Sequence, residues 1–429
     1  MSDWRDRADA SLDRLVEATA VQRIAISLTA LVFAVVVGAV LVFLSGFVAD
    51  CPDPFILLPG LGYGCYNPIE VYSTMVAGAF GSFTALGRTL QETTLLLLTG
   101  LSVAVAFRAG LFNIGTQGQM VLGALAAALT VLFLGEVVPE NALGTLLAIP
   151  AGVVVGAFVG GVWGMIPGLM KAYANAHEVI TTIMLNFIAM GIAFWLVQNH
   201  VGNLETDSVQ THSIPEVARL PATIDGSRFS IYALVGALLV AVGIYYLYTR
   251  TVLGYELRTS GIQEAAAEYG GVNARRNVVT SMTLSGALGG VAGAIYVTMV
   301  QYRWQDGIPP LGFDGIAVSI LAGNNPIGVI PAALLFGGMK SGSVAIDLSL
   351  GVPNELVEVL RGLIILFIAM PEFFRMIGKR AGYGGEPVAT DGGESRGESG
   401  STSEPTDGGE GVDAERSTSD RNSNGGEGS

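Results

Sequence analysis

Between two long apolar runs stand Asn113, Thr116, Gln117 and Gln119, in a segment from Phe107 to Gln119 that also carries Gly110, Gly115 and Gly118. Neutral amides and hydroxyls both donate and accept hydrogen bonds. That chemistry suits a polyhydroxylated or heterocyclic solute better than an ion. The glycines permit non-helical backbone, and a broken segment at membrane depth is tolerated only when buried in protein or lining a wet cavity. The competing reading is an ordinary polar turn whose amides serve as caps.

A second group is Glu178, Thr182 and Asn186, spaced i, i+4, i+8 and therefore on one helix face. Such a stripe should face the bundle interior, since lipid would waste its polarity. Glu178 at the helix start either favours the helix dipole or takes part in transport, and His177 beside it reads as a satisfied interfacial histidine. Asp314 stands near another predicted helix start. No catalytic residues emerge: the chain lacks a GxxxxGK[ST] phosphate loop and a plausible nucleophile with its base. It has only three histidines and no zinc spacing, so neither a metal nor a cofactor is expected. Cys51 and Cys65 share one Pro/Gly/Tyr-rich segment, as a disulfide if it faces outside the cell or as two free thiols.

The elements that must position these groups follow from composition. Apolar residues make up 51% of the 429 and charged residues only 14%, well below the roughly one quarter usual in soluble domains. The predicted fold is all-α, a polytopic membrane bundle of about ten transmembrane helices. Runs long enough to cross about 30 Å of hydrocarbon cover residues 24–48, 89–107, 117–135, 143–166, 179–198, 230–248, 278–301, 327–346 and 356–370. A shorter piece, 313–323, is a short span or a re-entrant helix, so the count is nine or ten. Gly152, Gly156, Gly160 and Gly164 form one smooth helix face, and Ser285, Gly289 and Gly293 another, where a neighbouring backbone can approach. Asn113-Ile114-Gly115 and Asn325-Pro326-Ile327-Gly328 each precede an apolar helix, a faint internal echo.

With ten spans, Arg108, Lys171, Arg250, Arg258, Arg275 and Arg276 lie inside, and fewer basic residues (Arg88, Arg219, Arg228, Arg303) lie outside. This asymmetry sets a multi-pass protein of the cell membrane with both termini cytoplasmic. The expected division is a cytoplasmic segment 1–23, a transmembrane region 24–376 with an inner loop 250–277, and a disordered acidic tail 381–429. The net charge of −14 argues against nucleic acid as a partner.

The inner loop carries an Ala-rich helix former around Glu264 to Tyr269, ended by Gly270-Gly271. It reads either as a docking knob for a soluble partner or as a plain surface helix. Together with Arg108 to Gln119, His177 to Ala189, Ser285 to Ala294 and Gly312 to Gly328, the stretch Gly261 to Val272 resembles the permeases of ABC importers in the branched-chain amino acid, ribose and nucleoside group. The nucleoside/simple-sugar branch is the nearest, with patterns like GLFNIG-x-x-GQ, EVI-x-TIMLN and GFDGIAV-x-x-L-x-x-NNP-x-G in the same order over about Thr89 to Glu372. The resemblance implies a permease that moves a nucleoside or simple sugar across the bilayer, paired with a second permease subunit, cytoplasmic ATP-binding subunits and an extracellular solute-binding protein. It also implies that Gly261, Glu264, Ala266, Ala267, Tyr269 and Gly271 belong to the helix that couples to the ATPase. Gln117 departs from the Glu frequent in this branch, and His177 from its Asn. The expected route is lined by Asn113, Thr116, Gln117, Gln119, Glu178, Thr182, Asn186 and Asp314. The rival reading is an ion-coupled secondary transporter of a small polar solute, using Glu178 or Asp314.

Overall fold

The computed structural model describes residues 20–367, except positions 50, 52–53, 59–61, 204, 354, 361 and 364–365. Most of the expected segment 1–23, the end of the transmembrane region to 376 and the whole tail 381–429 lie outside the described residues. The predicted last span, 356–370, is described only in part, as helix over residues 355–360 and at 362–363 and 366–367.

Hydrocarbon offers a backbone no partner but itself, so the apolar runs close into helices. In chain order these are α1 (Ala20–Ser45), α2 (Pro68–Phe80), α3 (Phe83–Arg108), α4 (Thr116–Gly135), α5 (Ala142–Ala174) and α6 (Glu178–Leu196). They continue with α7 (Ile231–Arg250), α8 (Val252–Ile262), α9 (Glu264–Tyr269), α10 (Ala274–Ile295), α11 (Leu311–Leu321) and α12 (Val329–Leu350). Wider π-type turns extend α6 over Val197–Val201 and α10 over Tyr296–Gln301. Local chemistry sets the starts. Ser82 accepts from the Ala85 N–H at 3.1 Å, Asn141 from Leu143 at 3.0 Å and Asn273 from Arg276 at 3.0 Å.

Seven helices among the described residues are long and apolar enough to span a membrane: α3, α4, α5, α6, α7, α10 and α12. The chain is thus an all-α polytopic bundle. The short piece before Asn324 is α11, whose 11 residues reach about 16 Å, half a hydrocarbon core. It follows a non-helical stretch, residues 302–310, that joins it to the end of α10. Two elements have no counterpart in the sequence reading. One is α2, too short to register as a span; the other is a hairpin of β1 (Ile56–Leu58) and β2 (Gly62–Gly64) beside a Cys51–Cys65 disulfide, S–S 2.01 Å.

α3 is the most enclosed helix, with Leu95, Leu96, Leu97 and Leu98 all buried. A helix apolar on all sides belongs inside a bundle. The glycine faces do different jobs. Gly156 and Gly160 of α5 meet Gly286 and Gly290 of α10 backbone to backbone. Ser285, Gly289 and Gly293 of α10 instead face α3 and α4, Gly289 lying against Gln119 and Gly293 against Met120. Three helices therefore converge within side-chain-free distance around Gly123, Gly156 and Gly290.

Candidate functional site

The helix α3 ends at Arg108, and Gly110 takes a left-handed φ of +73° that turns the chain back into the bundle. Thr116, the first residue of α4, reaches Ser102 at 3.2 Å. Ser102 lies six residues before the end of α3, about 9 Å deep along the axis, so α4 begins inside the protein. The broken segment expected from the glycines is present, with Ala109, Leu111, Asn113 and Gly115 buried and Gly110 and Phe112 exposed.

Amides close this break. Asn113 accepts from the Gly115 N–H at 2.9 Å and donates to Gln119 Oε1 at 3.0 Å and Ser285 Oγ at 2.7 Å. Asn186, arriving from α6, accepts from Gly118 N–H at 2.8 Å and donates to the Ile114 carbonyl at 2.9 Å. Asn113, Thr116, Gln117, Gln119, Thr182 and Asn186 are all buried, and the amides are bonded to protein on both ends. Replacing Asn186 by Leu leaves the Gly118 N–H and the Ile114 carbonyl without their partner. The expected cost is about 2–5 kcal/mol, read as a lower Tm of the purified subunit in detergent; an unchanged Tm would show that the break does not depend on this clasp.

Gln117 turns the other way. Its Oε1 accepts from the Gly312 N–H at 2.8 Å, capping the buried start of α11, while Nε2 donates to Pro309 O at 3.1 Å and Ile308 O at 3.4 Å. A carboxylate could make the first bond but not the other two. The amide at this position is therefore matched to the two carbonyls above α11.

Two predicted route residues stand apart from the amide group. Glu178 pairs with Lys171 at 3.0 Å and lines a cavity of about 510 Å³ with Gly110, Lys171, Gly261, Glu264 and Arg275. Asp314, in the first turn of α11, lies 3.4 Å from Lys340. Lys340 also reaches Glu92 at 3.6 Å. The sequence reading missed Glu92 and Lys340 as a site, although an ionisable residue inside an apolar run is the signal that marks one.

The loop residues fall where the Ala-rich pattern places them. α9 is a short helix with Ala267 buried, Glu264 and Ala266 exposed, and Tyr269 96% exposed. Gly271, φ +81°, ends it. Gly261, at the end of α8, packs on the backbone of the broken segment: a Cβ there would stand 2.6 Å from the Ala109 carbonyl carbon and 2.8 Å from Gly110 N. Arg108 Nε, at the end of α3, donates to the Asn324 carbonyl at 2.8 Å, beside the second of the two echoing segments. Each forms the same turn, with Asn325 Oδ1 accepting from Ile327 N–H at 3.1 Å as Asn113 does from Gly115.

Comparison with known proteins bears on this arrangement. Residues 85–369 match the family described as branched-chain amino acid transport system, permease component. The chain is 36% identical over 316 residues to the guanosine ABC transporter permease protein NupP of Bacillus subtilis, covering 73% of this chain and 88% of that protein. It is 34% identical over 359 residues to the nucleoside ABC transporter permease protein NupB of Lactococcus lactis, covering 81% and 91%. The glucose ABC transporter permease protein TsgB13 of Haloferax volcanii is 31% identical over 319 residues, covering 72% and 82%.

Proposed function

The chain belongs to the permease-component family of branched-chain amino acid transport systems, and from that membership we propose that its solute is a nucleoside or a simple sugar, a nucleoside first. It is a membrane permease subunit of an ATP-binding-cassette importer, a transport component rather than an enzyme. A nucleoside leads because the guanosine and nucleoside permeases match at 36% and 34% identity, the glucose permease at 31%.

The observation that carries the mechanism is the backbone contact of Gly261 with Ala109 and Gly110. It joins the cytoplasmic loop bearing α9 to the break between α3 and α4. ATP binding on partner subunits pushes α9. The push passes through Gly261 to residues 109–110, and the amide network hands it to α4, α6 and α10 as one body. Gln117 extends it to the half-helix α11. Rocking between outward-open and inward-open states is then a population shift driven by contacts that differ between them. In the conformation described, Asn113, Thr116, Gln117, Gln119, Thr182 and Asn186 are buried, so they form the closed wall of the route. Glu178 and Asp314 stand toward its two ends.

The partners follow the same reading: a second permease, cytoplasmic ATP-binding subunits and an extracellular solute-binding protein. Exposed Phe187, Trp195 and Leu239 on α6 and α7 need lipid or that second permease as cover. The described helices support about ten crossings when α1, α11 and the last helical stretch join the seven long ones. Basic residues support termini in the cytoplasm: Lys171 and Arg275 line one cavity with Gly110, while Arg219 and Arg228 both lie over the Tyr302 ring.

Uptake of labelled nucleosides and sugars, in cells carrying the chain with its genomic neighbours, tests the reading. Depleting ATP under a maintained membrane potential should abolish uptake, and a membrane-impermeant thiol reagent should reach Cys51 and Cys65 only after reduction. Uptake that survives ATP loss and collapses with the ion gradient would establish the secondary transporter instead.

A further inference from the structure

Three charged side chains from three helices meet beyond the amide network. Lys340, halfway along α12, lies 3.4 Å from Asp314 Oδ2 of α11 and 3.6 Å from Glu92 Oε2 of α3. Their side chains are 22%, 18% and 22% exposed, withdrawn from bulk water yet open to a ligand. Glu92 and Lys340 border a cavity of about 460 Å³ that Arg88, Gln91 and Arg228 also line. That size lies within the ~300–1,000 Å³ of small-molecule pockets.

A brace between helices would be better made of apolar side chains, because desolvating an ion pair usually offsets its attraction and membrane depth raises the cost. These contacts are also looser than the ~2.7–2.9 Å of a tight charge-assisted bond, which leaves the Lys340 ammonium and the Glu92 carboxylate able to engage a guest. Arg228 is already committed: it donates to the Val300 carbonyl and stacks over Tyr302. With Arg88 and Arg228 exposed at the rim, the inner lining offers one carboxylate acceptor, Glu92, against the Lys340 ammonium and the Gln91 amide as donors, one charge of each sign. Such a wall neither demands a cation nor an anion. Vicinal hydroxyls, each a donor and an acceptor, satisfy both kinds of group at once.

We propose that this cavity is a solute station for a neutral polyhydroxylated molecule, the ribosyl part of a nucleoside, in which Glu92 accepts from vicinal hydroxyls while Lys340 and Gln91 donate to them. The assignment rests on the nucleoside or sugar reading above. Gln117 ties the station to the moving parts, since it caps the same half-helix that carries Asp314.

The test is uptake of a ribonucleoside against its 2′,3′-dideoxy analogue, using the complete importer with its binding protein in proteoliposomes. The ratio of the two uptakes is compared between wild type and Glu92→Ala or Lys340→Met. Any preference of the binding protein is common to all samples and cancels in that comparison. The ratio should fall about tenfold in either variant, the loss of one hydrogen bond to a charged group. Gln91→Leu leaves the ion pairs intact and carries the same comparison if the other variants do not reach the membrane. A parallel drop for both solutes, with the ratio unchanged, would overturn the station and leave the triad a structural brace. Wild-type complex that moves no nucleoside or sugar on ATP would overturn the functional reading itself, and this ligand with it.

Discussion

Gly290→Val is expected to abolish assembly of the bundle, with little monodisperse protein recovered from membranes and at least about 3 kcal/mol lost in whatever folds. A Cβ at 290 would overlap the Gly156 carbonyl oxygen and stand 2.8 Å from its carbon and 3.1 Å from Gly160 Cα. All three are backbone atoms of α5, so no side chain can swing aside. The helices must part, and in lipid their close packing is the main source of association. Gly236→Ala on α7 is the control, because nothing lies within 4 Å of the added carbon. It should fold normally and gain up to about 1 kcal/mol of helix propensity. Equal recovery and Tm for Gly290→Val and wild type would mean that α5 and α10 do not touch there.

The same two glycines mark the boundary of what the sequence discloses. Apolar runs gave the long helices, because a span's length and composition are local properties. The break at Gly110 to Gly115 was legible too, since glycines beside amides between two spans leave few other structures. What each face meets was not legible. Ser285 and Gly289 turned toward the amides, while Gly286 and Gly290, one residue on, formed the contact with α5. Periodicity identifies a stripe but not its neighbour. Lys340 shows the same limit: its partners are 26 and 248 positions away, and no local pattern joins them. α2 escaped notice because 13 residues fall short of a crossing; it packs along α12, where Gly78 meets Gly342.

Gly261→Ala is expected to separate transport from ATP hydrolysis. The added methyl would stand 2.6–2.8 Å from the Ala109 carbonyl carbon, the Arg108 oxygen and Gly110 N, again backbone, and Gly110 is already held at φ +73°. The end of α8 must lift off residues 109–110. Overpacking of this kind costs about 1–3 kcal/mol, a factor of roughly 5 to 150 in the population of any state that needs the contact. α9 itself is untouched, so the ATP-binding subunits should still copurify and hydrolyse ATP while uptake falls by that factor. Gly271→Arg probes the other side of the joint. Nothing lies within 4 Å of a Cβ there, and φ is +81°, so the substitution strains and crowds only the exposed end of α9. It should weaken copurification of the ATPase together with uptake. Two glycines ten positions apart would thus fail differently, one in transmission and one in docking. Wild-type uptake by Gly261→Ala would remove the 109–110 contact from the mechanism and leave α9 to act through α10 alone.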